Sequence, residues 1–215
     1  MDRDETSPGL VIGADGLARC WWCVGDDLYR RYHDEEWGRP QADERTLFEK
    51  ISLEGFQSGL SWLTILRKRD SFRRAFAGFE PGRVARFTDD DVDRLMGDAS
   101  IVRNRAKILA TINNARRHPQ LVDEFGSLAR FLWSFEPSPD SRPALVDRAT
   151  LTSVTTTTEA KQMSRELRRR GWSFVGPTTL YSAMQAMGVV NDHLDGCFTR
   201  PMVEAERAGF PRPTA

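Results

Sequence analysis

Residues 88–117 read TDDDVDRLMGDASIVRNRAKILATINNARR, and this stretch decides the fold class. Thr88 with Asp91 three residues on is a capping-box start, in which each residue satisfies the other's free backbone N–H. Val92, Leu95 and Met96 then recur at the spacing of one helix face. Asp98-Ala99-Ser100-Ile101 forms a tight turn after Gly97. A second helix is predicted over Val102 to about Arg116, opening with Arg103, Asn104, Arg105 and Lys107.

The same period governs the chain on both sides. Leu47, Ile51 and Glu54 fall at i, i+4, i+7, Trp62, Ile65 and Leu66 continue the pattern, and Phe72, Phe76 and Phe79 carry it to a stop at Pro81. Ser127 caps a run of Leu128, Phe131, Leu132 and Phe135, and Thr158 precedes Ala160, Met163 and Leu167 up to Gly171. A last helix is expected from near Pro177 through Leu180, Tyr181 and Met184 to Gly188. No strand pair and no internal repeat is evident, so the expected fold is all-α. The prolines and threonines between Pro137 and Thr157 read as a long connection. Residues 1–19 and 198–215 lack periodicity and read as flexible tails around a single domain of residues 20–197.

At 215 residues the chain is long enough for one sizeable core. Three cysteines are too few for a disulfide framework, no apolar run approaches the roughly 18 residues of a membrane span, and Met1 to Arg19 lacks a signal-like stretch. The expectation is a cytoplasmic protein with no membrane partner. Its 31 basic and 31 acidic residues cancel, but they are segregated. From Ile101 to Pro119 there are Arg103, Arg105, Lys107, Arg116 and Arg117 with no acid, and Lys161 to Arg170 sets five basic residues against Glu166. Such runs are either a basic face or ordinary solvated helix surface. At the start of the second hairpin helix, free N–H groups, helix dipole and basic side chains all favour a phosphate. This resembles the helix-hairpin-helix element that grips a DNA backbone without reading sequence, although Ser100 and Ala106 stand where that element often has glycine.

Two small ligand clusters lie at opposite ends, Cys20 with His33 and His193 with Cys197. Four such ligands can close a tetrahedral zinc site that clips the termini together, and four protein ligands make it structural, with no position for a reacting water. The i, i+4 spacing of His193 and Cys197 suits one helical turn. Cys23 is a fifth candidate for four positions, and buried cysteines with hydrogen-bonded histidines are the plain alternative. Cys20-Trp21-Trp22-Cys23 is also a C-x-x-C, but the strand and helix of a thioredoxin-like unit are missing around it.

Glu54 lies nearly two turns from Leu47 on the apolar stripe, and a carboxylate facing a core needs a partner or a task. Around it cluster Trp21, Trp22, Tyr29, Tyr32, Trp37, Phe56 and Trp62. Aromatic stripes are commonly core, yet aromatic walls with one acid also suit a flat cationic heterocycle, through stacking, cation–π attraction and a charge-assisted hydrogen bond.

The strings LYRRYHDEEWG (28–38), LEGFQSGLSW (53–62), FLWSF (131–135) and VVNDH (189–193) resemble those of the DNA-3-methyladenine glycosylase I family, the constitutive bacterial type, in order from about Cys20 to Cys197. The resemblance implies a two-lobed helix-hairpin-helix glycosylase fold. It implies one structural Zn2+ on Cys20, His33, His193 and Cys197, with Cys23 outside the shell. It implies that Glu54, taken as the catalytic group, and Tyr32 recognise the excised base, that Trp62 stacks on it, that Tyr29 and Trp37 help shape the base-binding pocket, and that Leu60 is a wedge in the duplex. The implied activity is monofunctional: alkylated double-stranded DNA is bound by a monomer through Arg103, Asn104, Arg105 and Lys107, N3-methyladenine is flipped out, and free 3-methyladenine and an abasic site result. The family lacks the aspartate that related enzymes use on the sugar, and Asp192 is expected to orient His193. A zinc-stapled binding module for distorted duplex is the rival from another class, and a zinc hydrolase is disfavoured by four protein ligands.

Overall fold

Side-chain oxygens set most of the helix starts in the computed structural model, which describes residues 9–213. A hairpin comes first, β1 (Leu10–Ile12) antiparallel to β2 (Ala18–Cys20), with Leu10 opposite Cys20. After one 3-10 turn at Trp21–Cys23 come α1 (Asp27–Glu35), α2 (Glu44–Gln57), α3 (Trp62–Ala75), α4 (Pro81–Val84), α5 (Asp89–Gly97) and α6 (Arg105–Phe125). Then follow α7 (Leu128–Trp133), α8 (Arg148–Ser153), α9 (Thr158–Arg169), α10 (Pro177–Ala186) and α11 (Thr199–Gly209). Asp26, Asp43, Ser61, Asn104, Ser127, Asp147 and Thr157 each accept a hydrogen bond from an amide in the first turn they open. The capping box of Thr88 and Asp91 opens α5.

The larger lobe is built on α2, whose Leu47, Phe48, Ile51 and Phe56 are buried against α3, α7 and α10. α5 and α6 form the hairpin expected from residues 88–117, and Ile101, Ile108 and Ile112 tie it to the same core. The smaller lobe is a cluster of Cys20, Val146, Leu194 and Cys197, and Tyr32, Trp37, Leu66 and Ala186 pack at the junction. The mostly helical expectation holds; the absence of a strand pair does not. Two strands of three residues around a Gly13–Gly16 turn are too short for apolar alternation to register.

Five segments differ from the sequence reading. Residues 9–19 and 198–213 are not bare tails, since they contain β1, most of β2 and α11, which is anchored by fully buried Val203. Residues 1–8 and 214–215 of those tails lie outside the described part. The second hairpin helix starts at Arg105 because Asn104 Oδ1 takes the Lys107 N–H at 3.1 Å. It continues through Pro119 to Phe125, for Pro119 faces solvent and buried Leu121 beyond it holds the helix across the missing hydrogen bond. The Pro137–Thr157 connection carries α8, capped by Asp147.

Candidate active site and metal centre

Cys20 at the end of β2, His33 in α1, and His193 and Cys197 in the loop before α11 are all buried, with ligand atoms within 4.8 Å of one another. His33 Nε2 lies 3.1 Å from His193 Nδ1 and 3.5 Å from Cys197 Sγ, which is 3.8 Å from His193 Nδ1. A zinc tetrahedron with ordinary Zn–N and Zn–S bonds has edges of about 3.3–3.8 Å, so the donor set fits that ion. Each imidazole is turned by a bond from its other nitrogen, His33 Nδ1 with Asp34 Oδ1 at 2.8 Å and His193 Nε2 with the Trp37 carbonyl at 3.0 Å. Arg19 braces Asp34 in turn at 3.0 Å. The neighbouring Cys20 thiol holds Cys197 well below the usual thiol range, and the two imidazoles add to the effect. Cys23 stays outside the group and donates its S–H to the Cys20 carbonyl at 3.1 Å.

Two sequence expectations change here. His193 and Cys197 share no helical turn: a bend at Gly196, φ +89°, brings Cys197 back so that its amide meets the Leu194 carbonyl at 2.9 Å. Asp192 does not orient His193. Its carboxylate is fully buried and accepts Tyr181 Oη at 2.6 Å, Gln185 Nε2 at 2.7 Å and the Arg142 guanidinium, thereby tying α10 to the connection before α8.

Rings lean on this cluster and carry its geometry into a neighbouring cavity. Trp37 packs edge-on against His193 at 4.7 Å, and Trp22 meets His33, Trp37 and Tyr29 at 5.1, 5.0 and 4.9 Å. Beyond them opens a cavity of about 230 Å³ lined by Trp21, Trp22, Tyr29, Tyr32, Trp37, Glu54, Gln57, Trp62, Leu151, Ser182 and Gln185. That is less than the roughly 300–1,000 Å³ of sites for drug-sized ligands and suits one small heterocycle. Tyr29, Tyr32, Trp37, Glu54 and Trp62, scattered over 34 positions of sequence, all face this one space. Gln57, Leu151, Ser182 and Gln185 were not foreseen. Ser182 and Gln185 lie three apart on α10, but nothing in the sequence says that this face meets a cavity.

Glu54 is 5% exposed, and burial pushes its carboxyl up to about 8, opposed by the charge of Lys50. Burial and the Glu54 charge push Tyr29 up to about 12 and Tyr32 well above the usual phenol range. Trp62 opens α3, its ring 5.5 Å from Tyr32, and its buried Nε1–H has no partner among the described residues. The cavity thus combines aromatic faces with an acid that gains greatly from a positive guest, since opposite charges attract strongly in a desolvated site.

Leu60 stands 41% exposed in the turn between α2 and α3, after Gly59 at φ +80°. Arg103 and Arg105 are exposed at the start of α6, Arg105 with Asp93 at 3.2 Å, and exposed Asn104 spends its side chain on the cap. Lys107 is misplaced in the phosphate group proposed from sequence. It is 7% exposed, and its ammonium points inward to the carbonyls of Phe56 at 2.8 Å and Ser58 at 2.6 Å, the free end of α2. Within the Lys161–Arg170 run, Arg169 and Arg170 are paired with Glu166 and Arg170 also with Glu124, whereas Lys161, Arg165 and Arg168 are exposed. The structure contains a second helical hairpin, α9 and α10, whose turn is pinned to α6 by Asn114 through Ser173 N and O at 2.8 and 2.9 Å.

The methyladenine glycosylase family model matches residues 22–200. DNA-3-methyladenine glycosylase 1 of Escherichia coli strain K12 is 45% identical over 186 residues, covering 86% of this chain and 98% of that protein. DNA-3-methyladenine glycosylase of Haemophilus influenzae is 43% identical over 180 residues, 83% of this chain and 96% of its own. A crystal structure of a variant of 3-methyladenine DNA glycosylase I in complex with 3-methyladenine superposes with a TM-score of 0.78 at 36% identity, over 84% of this chain and 96% of that one. The chain belongs to the methyladenine glycosylase family, enzymes that hydrolyse N-glycosyl bonds.

Proposed function

We propose that this protein excises N3-methyladenine from alkylated double-stranded DNA as a monofunctional glycosylase, leaving an abasic site and free 3-methyladenine. The observation that carries this reading is Glu54, desolvated among aromatic rings at the wall of a cavity sized for one base. N3-methylation gives the purine a delocalised positive charge and weakens its glycosidic bond, so selective binding of the extruded base can replace strong acid catalysis. Trp62 stacks on the base while Glu54 and Tyr32 meet its edge, and Tyr29 and Trp37 shape the space. Unmodified adenine lacks the charge, and bringing it into contact with Glu54 gives no ionic return.

The exposed side chains of Leu60, Arg103 and Arg105, with the Asn104-capped start of α6, support a duplex-facing surface: backbone phosphates at the helix end, and the leucine in the gap left by the base. The chemistry passes through an oxocarbenium-like sugar and is completed by water. No lysine among the described residues lines the cavity, and Lys50 beside Tyr32 is committed to Glu36, which supports hydrolysis without a lysine adduct and without strand cleavage. Cys20, His33, His193 and Cys197 would hold one zinc ion. Bound there, the ion supplies structure only, since its four protein ligands exclude water.

The test is mass-spectrometric detection of bases freed from methylated duplex by the purified protein. Release of 3-methyladenine with 7-methylguanine retained is expected. A folded protein that binds the duplex and frees nothing would overturn the proposal in favour of a binding module, a reading that leaves the acid in its aromatic cavity unexplained.

A further inference from the structure

Lys50 is an unexpected neighbour for a pocket that takes a cation. It is 2% exposed and precedes Glu54 by four residues on α2, so both side chains leave the same face of the helix. Its ammonium lies 5.8 Å from the centroid of the Tyr32 ring and is bonded to Glu36 Oε1 at 2.5 Å. Behind it the charges form a chain. Arg69 joins Glu36 at 2.6 Å to Glu49 at 2.5 Å, and Arg73 reaches Glu49 at 3.0 Å. Asp70 also pairs with Arg73, at 3.5 Å, so Lys50, Arg69 and Arg73 are matched by Glu36, Glu49 and Asp70, and Lys50 is the cation of this chain whose charge acts on Glu54.

We infer that Lys50 is a positioning residue for the base site: held behind the Tyr32 ring by Glu36, its ammonium is the resident counter-charge that allows Glu54 to ionise and keeps Tyr32 seated before a base arrives. The inference rests on the proposed role of Glu54 in holding the base.

The other groups around Glu54 do not perform this task. α1 contributes Tyr29 and Tyr32, and Glu36 caps its end; the phenols stay neutral and the carboxylate repels. α3 contributes Arg69 and Arg73, both engaged by Glu49, and Asp70, which pairs with Arg73. Gln57, on α2 itself, is uncharged, as are Ser182 and Gln185 of α10 and Leu151 of α8. The 3-10 turn brings Trp21 and Trp22, with the Cys23 thiol beyond Tyr29. Burial lowers Lys50 from the usual ammonium range, with Glu36 opposing that drop, while Lys50 in turn pulls Glu54 down.

A cationic base favours ionised Glu54, so kcat/KM for 3-methyladenine release should rise with pH along a limb centred near 8, the range to which Glu54 is pushed. Lys50→Met keeps the length and removes the charge. Its limb should move up by about one pH unit or more, which at pH 7 is about a tenfold loss, and Lys50→Arg should restore the native limb. A folded Lys50→Met protein with the native pH profile would overturn the inference; if that variant fails to fold, Lys50→Gln carries the same expectation. Glu54→Gln separates the two readings. If it retains the limb, the base-binding role of Glu54 fails; if it abolishes the limb while Lys50→Met leaves it in place, only the role of Lys50 fails.

Discussion

Lys107 Nζ donates to the Ser58 carbonyl at 2.6 Å, and by that bond the first turn of α6 supports the last turn of α2, just ahead of Leu60. A second bond to the Phe56 carbonyl occupies another acceptor that the helix end leaves free. Lys107→Met should therefore cost about 1–3 kcal/mol in urea unfolding, the range for hydrogen bonds from a charged donor. The salt dependence of duplex binding should keep its slope. A slope reduced by about one in log K against log salt would return Lys107 to the phosphate contacts.

Trp37 and Trp22 rest on the rings of His193 and His33, so the metal group and the base cavity are mechanically one unit. Elemental analysis is expected to find one zinc per chain, and a cobalt-substituted protein to give a tetrahedral spectrum. Cys197→Ser should lower stability by about 3–5 kcal/mol, on the order of 10 °C in Tm, because the clip joins residues far apart in sequence. The same variant should weaken binding of free 3-methyladenine through the displaced rings, and unchanged binding after zinc loss would uncouple cavity from metal.

A carboxyl pushed up to about 8 costs the fold stability wherever the unfolded chain would ionise it. In the unfolded chain Glu54 ionises near its ordinary value, so its penalty is absent below about pH 4.5, grows as pH rises, and is complete above about 8. Glu54→Gln should therefore be as stable as the native protein at pH 4 and a few kcal/mol more stable at pH 9, while excising the base more slowly and without the rising pH limb. Equal stability at both pH values would show that the carboxyl is not desolvated.

Trp62 is half-buried at the start of α3, where Ser61 supplies the cap independently of the ring. Trp62→Ala should fold and lose on the order of 1–3 kcal/mol of stacking, about 5- to 150-fold in affinity for free 3-methyladenine by calorimetry. Native affinity in that variant would remove Trp62 from the base contacts.

Helix content was legible because it rests on local chemistry: a capping oxygen at Asp43, Ser61, Thr88 or Ser127 and an apolar residue every three to four positions after it are complete within one segment. Glu54 was legible for the same reason, as an acid on an apolar stripe. α11 and the β1–β2 hairpin were not, since a single Val203 or three-residue strands give no period to read. Ser182 and Gln185 were hidden because a polar residue on a half-buried helix face looks the same whether it meets water or a cavity.

The fate of individual cations shows the division. Sequence alone determined that Arg103, Arg105 and Lys107 cluster about the start of a helix, that one acid lies among many rings, and that two cysteines and two histidines form distant pairs. Only the tertiary structure decided that Lys107 turns inward to the end of α2, that Lys50 lies behind Tyr32 and not in solvent, and that Asp192 serves Tyr181 and Gln185, not His193. The reason is range. Capping and periodicity act within a few residues, whereas a long polar side chain bonds whatever acceptor the packing of remote helices brings within reach.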